Sequence, residues 1–198
     1  MRKRKYRNFF TKYTLARQIE AGAVTVGDHT YGTPTVLFDR AAHLTLGKYC
    51  SIAEGVVFVL GGNHRVDWIS TYPFSSRPEI WPEAAGGPGH PATKGDIVVG
   101  NDVWFGRNAT IYSGVTIGDG AVIAGDSVVA TDVGAYEIFG GNPARCIRKR
   151  FNNETIAKLL DAAWWNLDEE TIRALIPLLL AGDTKGFLSA VHDRNGSN

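Results

Sequence analysis

From Val99 the chain repeats in hexads: VGNDVW, FGRNAT, IYSGVT, IGDGAV, IAGDSV and VATDVG. A large apolar residue opens each one, at Val99, Phe105, Ile111, Ile117, Ile123 and Val129. Four positions later stands something small or β-branched, at Val103, Ala109, Val115, Ala121, Ser127 and Val133. Gly, Asn or Asp fills much of the space between, and these residues tolerate corner dihedrals that β-branched residues resist. The pattern predicts one short strand and one tight corner per hexad, with three hexads closing a turn of about 18 residues. Every opening residue then stacks on its counterpart one turn away. A poorer set, LGKYCS and IAEGVV, is opened by Leu46 and Ile52 and places Cys50 and Val56 at the small inward position. The spacing leaves the hand of the coil open.

Between the two sets, from about Gly61 to Asp96, the hexads give way to a segment rich in Gly, Pro and aromatic residues. A loop of that length inside a compact domain is usually functional. After Val133 comes YEIFGGNPARCIRKRF, where Gly140, Gly141 and Pro143 are expected to end the repeats. From Asn153 the spacing turns helical. One helix is expected after an Asn cap at 152 or 153, and a second near Asp168 with Ile172, Leu175, Ile176 and Leu179 on one face. Pro177 should kink or shorten that helix, Gly182 marks its end, and Gly186 to His192 adds a further turn. Trp164 and Trp165 are expected to pack the helical part against the repeats. The expected organisation is a repeat domain over 1–151, with its excursion at about 61–96, and a C-terminal helical extension over 152–198.

Charge narrows the choice of partners. Lys and Arg total 21 against 20 for Asp and Glu, a net +1, so no whole-molecule field steers the chain toward nucleic acid. The one basic cluster, Arg2, Lys3, Arg4, Lys5 and Arg7, fits a solvated tail or a contact with anionic lipid or glycan. No apolar stretch follows it to make a secretory signal, and no run of about 18 apolar residues could span a bilayer. Two cysteines far apart are not a disulfide scaffold, which fits a reducing, cytoplasmic location. Cys50 falls in the repeat pattern, so it reads as core and not as a nucleophile.

The chain has five histidines. His29, His43, His90 and His192 stand in contexts that suit solvent-facing or locally bonded imidazoles. None has Cys or carboxylate partners at metal-ligand spacing, so no metal requirement is expected. His64 differs: it begins the excursion just after Gly61 and Gly62, a pair that lets the backbone approach a ligand closely. Residue type alone favours a structural role for it, as for any lone histidine.

The stretch holding Asn63, His64, Arg65, Asp67, Ser70, Thr71, Tyr72, Pro73 and Phe74 is followed in order by GNDVWFG, GDGAVIAGDSVV, GGNPAR, IRKRF and WWN. From roughly Leu46 to Pro177 this combination resembles the xenobiotic acetyltransferases of the hexapeptide-repeat group, which include type B chloramphenicol and streptogramin acetyltransferases. The resemblance implies an all-β solenoid, a left-handed parallel β-helix, against the right-handed habit of sheet crossovers. It implies acetyl-CoA as cosubstrate and His64 as the general base for direct attack of an acceptor hydroxyl on the thioester. An imidazole, with an ordinary pKa of about 6.5, suits that task near neutral pH.

The same resemblance places the pantetheine arm along Trp104, Gly106, Ala124 and Gly125, and the phosphates near Arg145, Arg148, Lys149 and Arg150. Ordinary packing of Trp104 and a solvated basic face are the competing explanations. Tyr31, Asp67 and Tyr72 are the expected acceptor-binding residues. Trp68, Tyr72, Phe74 and Trp81 offer apolar faces to an acceptor, or simply pack.

Drug-modifying relatives carry a longer aromatic segment where Tyr31 to Leu46 is short here, so no particular antibiotic is carried over. The expected acceptor is a hydroxylated, antibiotic-like small molecule. The alternative is a sugar of a surface polysaccharide or glycolipid, for which the basic N-terminus is the one hint. A noncatalytic or metal-dependent β-helix is the remaining rival, and its metal site needs three convergent histidines. A homotrimer is expected, because an excursion with few residues of its own to bury would find its partner surface on a second copy.

Overall fold

The computed structural model describes residues 9–87, 89–90 and 92–195. The basic cluster Arg2, Lys3, Arg4, Lys5 and Arg7 lies outside these residues. The chain divides into two compact units, 1–148 and 149–198.

The described part of the first unit begins with two short helices, α1 (Thr11–Thr14) and α2 (Ala16–Glu20). The strands that follow are β1 (Val24–Val26), β2 (Thr35–Leu37), β3 (Leu44–Leu46), β4 (Ser51–Ile52) and β5 (Val57–Val59). After the excursion come β6 (Ile97–Val99), β7 (Trp104–Phe105), β8 (Thr110–Tyr112), β9 (Thr116–Ile117), β10 (Val122–Ile123) and β11 (Val128–Val129). Each is short because a corner follows at once. Asp102, Asn108, Gly114, Gly120 and Asp126 all hold positive φ there, as the Gly, Asn and Asp of the hexads predict.

From β3 onward, successive strands join three sheets in rotation, ordered β1-β3-β6-β9, β4-β7-β10 and β2-β5-β8-β11. The sheet pairs are parallel and in register, so like stacks on like: Leu46 on Val99 on Ile117, Ile52 on Phe105 on Ile123, Phe58 on Ile111 on Val129. All twelve hexad positions named above are buried, as are Leu46, Cys50, Ile52 and Val56. Each of the Val, Leu, Ile and Phe side chains among them contributes roughly 1.5–3 kcal/mol of burial. The corners are tied between turns by side chains: Asn101 Nδ2 donates to Asp119 Oδ1 at 2.8 Å and Asn108 Nδ2 to Asp126 Oδ1 at 3.0 Å.

The repeats begin earlier than the hexads reveal. Val24 pairs with Leu44, Tyr31 bridges Ser51 and Thr35 pairs with Val57, so 24–46 winds once more around the same core. His29 and Phe38 take positive φ at corners in this part, a use of bulky residues that the Gly/Asn pattern does not signal, and His29 stacks face to face on Tyr49 of the next turn at 4.7 Å. At the other end Gly140, Gly141 and Pro143 do not simply stop the chain. They lie in a hairpin between β12 (Glu137–Gly141) and β13 (Ala144–Lys149), which extends the second sheet to β13-β12-β10-β7-β4.

The second unit is helical: α3 (Asn153–Ala162), α4 (Glu169–Leu179) and α5 (Thr184–Asn195). Asn152 caps α3 by accepting the Thr155 N–H at 2.8 Å. Asp168 caps α4 through the Thr171 hydroxyl and N–H, and these bonds hold its carboxyl below the ordinary range. Ile172 and Leu175 are buried, but Ile176 is 44% exposed, so the apolar face is narrower than expected. Pro177 sits inside α4 without ending it, since the bond it forgoes would fall in the helix's last turn. The expected extra turn at Gly186 to His192 is part of a full helix, started by the Gly186 N–H donating to Asp183. Trp165 is buried and meets Trp164 edge to face at 5.9 Å. Among the described residues no helix is long and apolar enough to cross a membrane.

Candidate active site

The excursion leaves the stack after β5 through a close passage. A Cβ on Gly61 would sit 2.6 Å from that of Ala41, and one on Gly62, at φ +83°, would sit 2.5 Å from the Phe38 ring. Only glycine fits this exit. The neck is then closed by an antiparallel bridge in which Asn63 and Ala92 exchange both backbone bonds, at 3.0 and 2.7 Å. Asn63 Nδ2 donates to buried Ser113 at 2.9 Å, and the Thr93 hydroxyl donates to the Leu60 carbonyl at 2.6 Å. The next residue out from this pinned neck is His64.

His64 is exposed, and its Nδ1 lies 2.6 Å from the Thr71 carbonyl oxygen. A carbonyl only accepts, so Nδ1 carries the hydrogen and the neutral ring presents Nε2 as a free lone pair. The loop folds back on itself to make this bond, and the backbone of Tyr72 is held in turn by the Ser70 hydroxyl. One ring nitrogen anchored and the other open is what a proton acceptor needs.

Beside His64 lies a cleft of about 580 Å³ whose lining includes Asp67, Trp68, Tyr72, Phe74 and His90. Two of the three expected acceptor residues, Asp67 and Tyr72, are therefore brought together. The third, Tyr31, is elsewhere: it stacks on Phe9 at 4.7 Å and stands in the column Tyr31, Ser51, Trp104 on the five-stranded sheet. Tyr72, Phe74 and Trp81 pack mutually at 4.7 to 6.4 Å yet each stays partly exposed, so packing and an open apolar face coexist.

Of the two contexts the sequence leaves open for His90, solvent-facing or locally bonded, the structure shows the bonded one. His90 is 5% exposed, and among the described residues of 62–96 it alone is buried. Its ring lies 4.7 Å from that of His64, and its Nδ1 accepts the Arg65 N–H at 2.8 Å. No spacing rule joins positions 64 and 90; the Asn63 to Ala92 bridge does. The other histidines behave as expected: His43 bonds the Gly22 carbonyl and the Thr25 hydroxyl, and His192 is exposed. Cys50 is fully buried and desolvation pushes its thiol up to about 11, in keeping with a core residue.

The residues expected to hold the donor share one sheet and its rim. Trp104 on β7 is 55% exposed, Ala124 and Gly125 follow β10, and Arg145 lies exposed on β13. Gly106 has a packing reason to be glycine, since a Cβ there would meet Gly125 N at 2.4 Å across the corner. The sheet thus carries an exposed indole on β7 and an exposed guanidinium on its edge strand β13. Lys149, at the end of β13, donates to Asn153 at 2.9 Å. Among the described residues no three His, Cys, Asp or Glu side chains gather as metal ligands.

Residues 96–131 match the family model described as bacterial transferase hexapeptide, six repeats. Fold and site thus define a hexapeptide-repeat transferase. The chain is 40% identical over 189 residues to a chloramphenicol acetyltransferase of Agrobacterium fabrum, covering 88% of this chain and 90% of that one. It is 46% identical over 154 residues to a probable macrolide acetyltransferase of Lysinibacillus sphaericus, covering 73% and 85%. Its fold is similar to that of a galactoside acetyltransferase in complex with coenzyme A, at 26% identity and a TM-score of 0.50, over 66% of this chain and 61% of that one. The chain belongs to the xenobiotic acetyltransferase family and is an acetyltransferase.

Proposed function

We propose that this enzyme transfers the acetyl group to a hydroxyl of an antibiotic-like small molecule, with His64 as general base. The observation that carries the proposal is the His64 tautomer: Nδ1–H held by the Thr71 carbonyl, Nε2 open at the neck of the excursion. The acceptor hydroxyl gives its proton to Nε2 as its oxygen attacks the thioester carbonyl. The C–O bond forms, the C–S bond breaks, and the imidazolium returns the proton to the departing thiolate. Asp67 and Tyr72 contact the acceptor in the cleft. Trp104, Gly106, Ala124 and Gly125 cradle the pantetheine arm, with Arg145 and Lys149 toward the phosphates. Tyr31 belongs with the Trp104 column in this scheme, not with the cleft.

The relatives named for chloramphenicol and macrolides favour a drug-like acceptor. A sugar alcohol is the second reading, favoured by the galactoside acetyltransferase of similar fold and by the exposed aromatic faces of the cleft. We take the coil to be a left-handed parallel β-helix, in keeping with three parallel sheets visited in rotation. The working form is a homotrimer, supported by an excursion that buries almost nothing of its own. Two free cysteines and use of acetyl-CoA favour the cytoplasm.

One experiment tests the reading. Purified protein is given acetyl-CoA with chloramphenicol, streptogramin A, a macrolide, aminocyclitols or nucleotide sugars, and thiol release is followed while light scattering reports its mass. The product expected is a base-labile O-acetyl ester formed by a trimer. A stable amide alone would overturn the hydroxyl acceptor, and an active monomer would overturn the trimer.

A further inference from the structure

We propose that His90 is the positioning residue for the His64 base, an inference that rests on His64 acting as proposed above. Past Gly61 the excursion has a single buried residue among those described, and it is an imidazole, not an apolar side chain. Three contacts converge on it. Its Nδ1 accepts the N–H of Arg65, the residue after the base. Its ring lies against that of His64 at 4.7 Å with 31° between the planes. Trp68, whose indole also lies under the Arg65 guanidinium, meets it edge to face at 5.3 Å. Its own carbonyl is held by the Ser76 hydroxyl, so the brace is tied to the far arm of the excursion.

The hydrogen-bond pattern fixes the tautomer of the brace as it does that of the base. Because Nδ1 accepts, the hydrogen of the neutral ring is on Nε2, which is buried and has no acceptor among the described residues. An orphaned buried donor is a deficit that packing alone would remove by placing an apolar ring here. What an apolar ring could not supply is the acceptor for the Arg65 N–H. His90 therefore combines a flat face for His64 with an acceptor for the adjoining backbone. The Thr71 carbonyl sets one edge of the base, and His90 sets its plane.

A base out of place by about 1 Å loses on the order of 10²-fold in rate. The test compares His64→Ala, His90→Ala and the double variant in the full-length enzyme with acetyl-CoA and whichever acceptor the screen above supplies. Expected for His90→Ala is a kcat lower by about 10- to 100-fold with an unchanged KM for acetyl-CoA, whose cradle lies on the repeats. Because His90 acts through His64, the double variant should turn over no more slowly than His64→Ala. His90→Asn keeps an acceptor for Arg65 and His90→Phe keeps the face, so each should retain more activity than His90→Ala. Wild-type kcat in His90→Ala, a proportionate rise in the KM for acetyl-CoA, or losses that multiply in the double variant would overturn the inference. Full activity in His64→Ala would instead overturn the base assignment itself, so the two failures are told apart.

Discussion

The repeats and the excursion are built from the same residue types to opposite ends. In the repeats Phe58, Phe105, Ile111, Ile117 and Ile123 are shut away completely or nearly so, each resting on its counterpart in the next turn. In the excursion Val66 and Ile69 are 88% and 111% exposed, and Trp68, Tyr72, Phe74 and Trp81 are all partly open. Periodicity explains the difference. A hexad places its apolar side chains at one repeating angle, so adjacent turns bury them together, whereas the excursion has no period and so no layer to join. Its order comes from discrete polar ties at the neck, from the Thr71 bond to His64 and from His90. The stack therefore supplies stability, and the excursion is free to be shaped by chemistry.

Three substitutions or measurements would break or sharpen that contrast. The largest effect is expected of Phe58→Ala, which removes a ring meeting Phe105 edge to face at 5.4 Å inside the stack. A loss of about 3–5 kcal/mol in denaturant unfolding is expected, with activity falling as the fold does. A loss within 1 kcal/mol would show that the layers do not carry the stability.

His64→Ala is the converse case. Its turnover should fall by about 10²- to 10⁴-fold while the unfolding midpoint stays within the ±0.5 kcal/mol of a surface change. A destabilised but active variant would invert the contrast.

The smallest effect is chemical. Burial holds the Cys50 thiol near 11 in the fold, against 9.0 for the free group, whereas Cys146 is exposed on β13. Iodoacetamide at pH 8 should label one thiol in the native enzyme and both after unfolding. The sign for stability follows: between about 9 and 11 the unfolded chain gives up the Cys50 proton that the fold retains, so stability declines as pH rises through that window. Native labelling of Cys50 would mean the layer around it opens.

The sequence by itself determined the stack from Leu46 to Val133, down to which side chain faces inward. Inward direction there is a function of position in the hexad alone. It narrowed the first cap to Asn152 or Asn153 and set the start of the second helix near Asp168, because a cap is local: the bonds to Thr155 and Thr171 span three residues. It marked His64 through the adjoining glycines and through family likeness, but not the tautomer on which its proposed role as base rests.

Only the tertiary structure decided the rest. The winding over 24–46 leaves no hexad trace because its corners place the bulky His29 and Phe38 at positive φ, where the hexads use Gly, Asn or Asp. Tyr31 stands in the Trp104 column because strand register sets it there, which no local pattern signals. His90 lay furthest from reach: its contact with His64 exists because two backbone bonds between Asn63 and Ala92 close the excursion. A pairing across so long a loop is fixed by the folded surface beneath it, the buried Ser113 hydroxyl and the Leu60 carbonyl, and leaves no periodic trace in the chain.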